Sequence, residues 1–145
     1  MDITITNFLD GLLSTRKLIE TPEDKHIPLL KRTTPEERRE MYLKFSAQNP
    51  NKVLAIVQRD DDCNTVPLIA REKFLFPPDM EFSRSMCAIR QRIPKLSPDK
   101  ALFYFVGKKK ILVTPHMLMS EIARQYANDD DHFVVIYYRD ESTFG

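Results

Sequence analysis

Three kinds of group in this sequence could take part in covalent chemistry: a glycine carboxylate, thiols and imidazoles. Gly145 is the last residue given, and it follows a short polar tail. Glycine has no Cβ, so a narrow catalytic cleft in another protein can accept its carboxylate. We therefore consider Gly145 first, as a candidate point of covalent attachment.

The thiols and imidazoles suggest a different class of protein, a cysteine hydrolase. Such an enzyme pairs a nucleophilic cysteine with a histidine base. No spacing in the sequence places a thiol beside an imidazole, and no nucleophile elbow or triad order is present. The two cysteines also lack metal-ligand spacing, which indicates reduced thiols in a cytosolic protein. The candidates would be Cys63 or Cys87 with His26, His116 or His132.

Two acidic turns raise the question of a metal site. Asp60, Asp61 and Asp62 are consecutive, whereas a calcium loop needs aspartates at alternate positions followed by glycine. We therefore predict a solvated turn at these residues. His132 follows three aspartates, and a surface histidine is a simpler interpretation than a metal ligand.

Composition excludes several further classes. The formal net charge is +1, from 22 basic and 21 acidic residues, and this balance argues against a general nucleic-acid binder. Only three glycines are present, and neither GxxxxGK nor GxGxxG occurs, so no phosphate-binding loop is expected. No apolar run reaches transmembrane length, and the N-terminus lacks the basic-then-apolar order of a signal peptide. We therefore expect no cofactor and no metal.

The sequence predicts three helices that follow an N-terminal extension. Residues 1–33 read as an N-terminal extension, with a possible short helix over residues 7–19. Thr34, Pro35 and Glu37 form a capping-box pattern that predicts a helix to about residue 48. A second helix is predicted because four apolar residues fall on one helix face: Phe82, Met86, Ile89 and Ile93. A third is predicted to begin at Thr114-Pro115, with three residues on one face: Leu118, Ile122 and Tyr126.

Four apolar runs predict strands, over residues 53–57, 73–76, 101–106 and 133–138. The last run has no polar alternation, which indicates a central strand that is buried on both faces. The first two runs are close enough for a hairpin, and a helix then crosses over. The fold class is therefore α+β: a four-stranded mixed sheet grasping a helix, with the last strand parallel to the first. This is the ubiquitin-like β-grasp pattern.

Four segments resemble one known family, and they occur in the family's order. They are KFLFP at 73–77, IRQRI at 89–93, ALFYFV at 101–106 and DESTFG at 140–145. With them, residues 34–145 resemble the autophagy ubiquitin-like modifiers of the GABARAP and light-chain-three type. The resemblance implies a ubiquitin-like domain over 34–145 that carries extra N-terminal helices and a C-terminal conjugation tail.

The resemblance also implies a role as a tag, with the catalysis belonging to partners. Activating and conjugating enzymes would join Gly145 to the amine of phosphatidylethanolamine. A cysteine protease would process and delipidate the protein, and Phe144 would serve as a recognition handle. Two acyl chains suffice for stable membrane anchoring, so the protein would move from the cytoplasm to the autophagosome membrane.

A second implied function is the capture of cargo receptors. These carry an aromatic and an aliphatic residue three apart, and the peptide adds as a strand to the second strand of the sheet. The backbone of Lys73 and Leu75 would form the ladder, and Arg71 and Arg92 would meet flanking acidic residues. The aromatic pocket would involve Ile56, Lys73, Leu75 and Phe133; the aliphatic pocket would involve Phe74, Phe76, Pro77, Met80 and the following helix.

Some positions depart from the family pattern. Leu54 stands where proline is usual, and Met41 stands where an acidic residue normally lines the aromatic pocket. Ser85 and Ala88 replace larger apolar residues near the aliphatic pocket, and the usual aromatic residue is missing near Pro35. These departures bear on which motif is preferred.

Two alternatives stay open within the same fold. One is the autophagy modifier that is joined to a protein lysine, which also ends in glycine and has a longer N-terminus. The other is an adaptor that is never conjugated. Whether residues 1–33 cover the peptide groove is a further hypothesis, based on the apolar residues found there.

Overall fold

A computed structural model describes residues 27–141 of the chain. The helix predicted within residues 7–19 and the tail residues Phe144 and Gly145 lie outside the described residues. In the described part, no helix has the length and apolar content needed to cross a bilayer. The elements are α1 (Leu29–Arg32), α2 (Pro35–Gln48), β1 (Val53–Arg59), β2 (Lys73–Phe76), α3 (Phe82–Gln91), β3 (Phe103–Val106), α4 (Met119–Tyr126) and β4 (Val134–Arg139).

The start of α2 is determined by local sequence. The Thr34 Oγ1 accepts a hydrogen bond from the Glu37 backbone N–H at 3.1 Å, and a Glu37 carboxylate oxygen accepts one from the Thr34 N–H at 3.2 Å. Pro35 occupies the first turn, where its missing N–H costs nothing. The predicted capping box is therefore confirmed, and α2 ends at Gln48, as expected.

The four strands form one mixed sheet in the order β2-β1-β4-β3. β1 runs antiparallel to β2 and parallel to β4, with Ala55 opposite Val134. β3 completes the other edge, antiparallel to β4. The α+β class, the mixed four-stranded sheet and the central position of the last strand are confirmed.

Alternate residues of the strands point to opposite faces of the sheet, and each face has its own apolar cluster. The α3 cluster lies on one face. It contains Val57, Phe74 and Ile136, together with Phe82 and Ile89 from α3 and Ile122 from α4. The α2 cluster lies on the other face. It contains Leu29, Met41, Phe45, Leu54, Ile56, Leu75 and Phe133.

Two predicted boundaries were wrong. The last helix begins at Met119 rather than at Thr114-Pro115. The reason is tertiary, because Leu118 bridges to Glu81 in an extended conformation and the Met117 carbonyl accepts the Phe82 N–H at 2.8 Å, while residues 115 and 116 form a turn. The third strand begins at Phe103 rather than at residue 101, because its register with β4 ends at the pair Phe103 and Arg139.

The prediction of a solvated turn was wrong for Asp60. Its side chain is 1% exposed, while Asp61 and Asp62 are exposed as expected. Lys110 Nζ lies 3.0 Å from Asp60 Oδ1, and Arg139 Nη1 lies 3.1 Å from Oδ2. The carboxylate is buried because two cations from distant parts of the chain compensate its charge.

Candidate functional site

The candidate site is built around β2, which lies at one edge of the sheet. The Val57 N–H donates to the Glu72 carbonyl at 2.7 Å, so residues 72, 74 and 76 direct their backbone groups toward β1. The same alternation directs the backbone groups of Lys73 and Leu75 away from β1. These are the two residues that the sequence analysis assigned to a peptide ladder.

The α2 face of β2 brings together the residues predicted for an aromatic pocket. Ile56 from β1, Leu75 from β2 and Phe133 before β4 belong to the α2 cluster and are at most 3% exposed. Lys73 pairs with Ile56 in the sheet register and is half-buried on the same face. Met41, one of the departures noted above, contributes an apolar side chain to this cluster. The four predicted residues therefore do lie together.

The interior of this pocket is already occupied. Leu29 of α1 is 2% exposed and is part of the same cluster as Ile56, Leu75 and Phe133. Leu30 of α1 and Tyr42 of α2 pack on the border of this cluster. The rings of Tyr42 and Phe133 meet edge to face, with their centroids 5.4 Å apart. Leu29 lies within residues 1–33, whose apolar residues suggested a cover over the peptide groove, but the sequence marks no site role for Leu29 itself. No local pattern identifies it, because its contacts are with residues far along the chain.

A carboxylate ties α1 to the edge strand. Glu72, directly before β2, accepts the Leu29 backbone N–H at 3.0 and 3.2 Å through its two oxygens. Arg32 Nη2 lies 3.5 Å from the same carboxylate, and Lys31 pairs with Asp61 at 3.0 Å. Burial raises the pKa of Glu72 above its ordinary value, and the bond from Leu29 and the charge of Arg32 offset this only in part.

The opposite face of β2 carries the residues predicted for an aliphatic pocket. Phe74 and Phe76 are each 1% exposed and belong to the α3 cluster. Their rings are stacked, with the centroids 5.4 Å apart. Pro77 and Met80 follow β2 and are half-buried, so they are nearer the surface. The two phenylalanines thus form the floor of this region, and Met80 packs against the α3 cluster at its border.

Two arginines were predicted to meet acidic residues of a partner. Arg71 is exposed just before β2. Arg92 caps the C-terminal end of α3 and is half-buried, and its Nε and Nη2 have no hydrogen-bond partner in the described chain. A guanidinium with two unsatisfied nitrogens is costly unless an acceptor reaches it.

The base of the C-terminal tail is held firmly. Asp140 is 1% exposed and accepts hydrogen bonds from Thr65 Oγ1 at 2.6 Å and from the Cys63 thiol at 3.7 Å. Lys100 Nζ lies 3.1 Å from the same carboxylate, at a cleft of about 470 Å³ beside Glu141. Cys63 is thus buried against a carboxylate, and the exposed Cys87 lies on α3. The residues beyond position 141 start from this fixed point.

Comparisons with known proteins agree with this architecture. A family model described as "Autophagy protein Atg8 ubiquitin like" matches residues 37–145. Autophagy-related protein 8d of Arabidopsis thaliana is 39% identical over 110 residues, covering 76% of this chain and 88% of that relative. Protein lgg-2 of Caenorhabditis elegans is 33% identical over 82% of this chain and 90% of its own length. Autophagy-related protein 8 of Coccidioides immitis (strain RS) is 36% identical over 85% and 95%. The chain therefore belongs to the Atg8 family of ubiquitin-like autophagy proteins, whose members are modifiers rather than enzymes.

Proposed function

We propose that this protein is a membrane tag of autophagy. Gly145 is joined through its carboxylate to the amine of phosphatidylethanolamine, and β2 captures partners that carry a short aromatic and aliphatic motif. The protein moves from the cytoplasm to the autophagosome membrane when it is lipidated. Its partners are the activating and conjugating enzymes of autophagy, a processing cysteine protease that recognises Phe144, and cargo receptors.

The main support for the proposed peptide capture is the position of β2 between two apolar clusters on opposite faces of the sheet. A peptide that adds to the edge as a strand alternates its side chains between the two faces. Residues three apart therefore point to opposite faces. An aromatic residue on the α2 face then places an aliphatic residue at i+3 on the α3 face, beside Pro77 and Met80.

The charges of Arg71, just before β2, and of Arg92, at the end of α3, favour acidic flanks on the partner. Arg71 is exposed, and Arg92 has two nitrogens without a hydrogen-bond partner in the described chain. A carboxylate beside the motif would neutralise the Arg92 guanidinium if this side chain turned outward toward it. Charge complementarity of this kind contributes mainly to specificity and to the rate of association.

The firm base of the tail supports conjugation. Asp140 and Arg139 tie the end of β4 to the rest of the domain, so an enzyme that docks on the domain finds the tail starting at a fixed position. An amide to a two-chain lipid is sufficient for stable membrane anchoring, whereas one chain is marginal. The lipid therefore accounts for a protein that is soluble before the reaction and membrane-bound after it.

A lipidation assay tests this proposal. The protein is combined with autophagy activating and conjugating enzymes, ATP and vesicles that contain phosphatidylethanolamine. We expect the mass of the protein to increase by one phospholipid, with no increase for Gly145→Ala and a normal increase for the matched tail variant Ser142→Ala. No increase with enzymes that are active on another substrate would contradict lipidation. A product joined to a protein lysine would favour the lysine-linked modifier.

A further inference from the structure

The α1 segment fills the pocket that the proposed function assigns to the partner's aromatic residue. Leu29 is 2% exposed within the α2 cluster, together with Ile56, Leu75 and Phe133. An incoming aromatic side chain and Leu29 cannot occupy the same close-packed volume. The peptide therefore has to displace Leu29 before it can be seated.

Among the described residues, the contacts that hold α1 centre on Leu29 and Glu72. α1 is a single turn of four residues, and Pro28 at its start provides no side-chain cap. A helix this short is not stable by itself and depends on its tertiary contacts. In the described chain these contacts include the side chain of Leu29 and the bonds from its N–H to Glu72, together with the ion pairs of Arg32 with Glu72 and of Lys31 with Asp61. Arg38 Nη1 also donates to the Leu30 carbonyl at 3.3 Å, and Leu30 packs at the border of the α2 cluster.

The position of Glu72 couples this attachment to the peptide-binding edge. Its carboxylate holds α1, while its backbone carbonyl accepts the Val57 N–H inside the sheet at 2.7 Å. The next residue, Lys73, begins β2. Release of the side-chain contact would therefore open the pocket and leave the sheet intact.

We propose that α1 is an internal lid of the aromatic pocket, with Leu29 as the plug and Glu72 as the latch. This inference rests on the proposed capture of peptides by β2. The lid lowers the apparent affinity for every motif, because only the fraction of molecules in which α1 has been released can bind. A partner that displaces α1 by other contacts would bind more tightly than one that offers the motif alone.

Calorimetric titration with one peptide tests the lid. The peptide carries an aromatic and an aliphatic residue three apart between acidic flanks, and it is titrated into the full-length wild type, Leu29→Ala, Glu72→Ala and the control Leu43→Ala. Leu43 is 53% exposed on α2 and belongs to neither cluster. If the open form is about a tenth of the population, the Leu29 and Glu72 variants bind about tenfold more tightly than the wild type. The control binds like the wild type.

Two other outcomes of the titration would each contradict part of the proposal. Equal or weaker binding by both variants would overturn the lid and leave peptide capture standing. Absence of binding to every protein, including the wild type, would overturn peptide capture and the lid with it. Thermal unfolding of each variant establishes that it is folded.

Hydrogen exchange provides a test that needs no substitution. In the wild type without peptide, the Leu29 N–H is protected by the Glu72 side chain, and the Val57 N–H is protected by the Glu72 carbonyl. With saturating peptide, we expect the exchange of Leu29 to become at least about tenfold faster while Val57 stays protected. Unchanged protection of Leu29 in the saturated complex would overturn the lid.

Discussion

Asp60 shows how single residues of this fold acquire partners that the sequence does not mark. Its carboxylate is held by Lys110, 50 positions away, and by Arg139, 79 positions away. The same is true of Asp131, which is fully buried and lies 2.7 Å from Arg38, 93 positions away. Both aspartates lie in stretches that read as polar turns, and local patterns carry no information about such distant cations.

Replacement of Asp60 should have an effect that depends on pH. Burial raises the pKa of Asp60, but the hydrogen bonds from Lys110 and the Asp62 backbone and the charges of Lys110 and Arg139 lower it more, so the pKa lies below 3.8. A lowered carboxyl pKa stabilises the folded state above the unfolded value, and this contribution is lost as the pH falls through the folded value. We expect Asp60→Asn to lower the free energy of unfolding by about 2 kcal/mol near neutral pH.

Urea unfolding of wild type and Asp60→Asn at a series of pH values measures this difference. The difference should stay constant down to about pH 4.5 and shrink below pH 3.8. Other carboxylates titrate in both proteins, and their effect cancels in the comparison. A difference that is constant down to about pH 2 would show that the charge of Asp60 does not contribute.

At the scale of elements, the start of α2 was predictable and the start of α4 was not. The capping box of α2 joins residues only three positions apart, Thr34 and Glu37, so its signal is contained in the local sequence. The residues at the start of α4 instead pair with those before α3, for example through the Met119 N–H and the Met80 carbonyl at 2.8 Å. Thr114-Pro115 looks like a helix start, but this long-range pairing decides the conformation.

Loss of the cap should destabilise the protein by a modest amount. We expect Thr34→Ala to lower the free energy of unfolding by about 1 kcal/mol, because the Glu37 N–H loses its acceptor and the first turn of α2 frays. Glu40→Ala in the exposed middle of the same helix is the control and should stay within about 0.5 kcal/mol of the wild type. Equal effects of the two changes, measured by urea unfolding, would argue against a role of the cap.

For the whole molecule, the apolar runs predicted the sheet well. Residues 133–138 lack polar alternation, and the strand they predict is indeed central, between β1 and β3. The grouping of Ile56, Leu75 and Phe133 came from the family resemblance, and the structure brings these residues together. The hypothesis that residues 1–33 cover the peptide groove did not identify the plug, because the Leu29 N–H finds its acceptor 43 positions away and Leu29 has no distinctive sequence context.

The sheet order predicts how stability is distributed over the molecule. β1 and β4 are paired on both sides, whereas β2 and β3 are edge strands among the described residues. We expect the β1 and β4 amides to exchange hydrogen only on global unfolding, and those near the outer edge, such as the Ile111 N–H that donates to Val106, at least about tenfold faster. Native-state hydrogen exchange measures this, and uniform protection across all four strands would contradict it.

The central position of β4 has a mechanical consequence. In the proposed function, a lipidated protein that holds cargo is under tension, and a pull applied through residue 141 acts along the axis of β4. Five register pairs with β1 and four with β3 resist that pull together, so the hydrogen bonds are sheared as a group rather than opened one at a time. The strand nearest the proposed anchor is thus the one that is paired on both sides, so a load on the tail is shared by the neighbouring strands before β4 can be extracted.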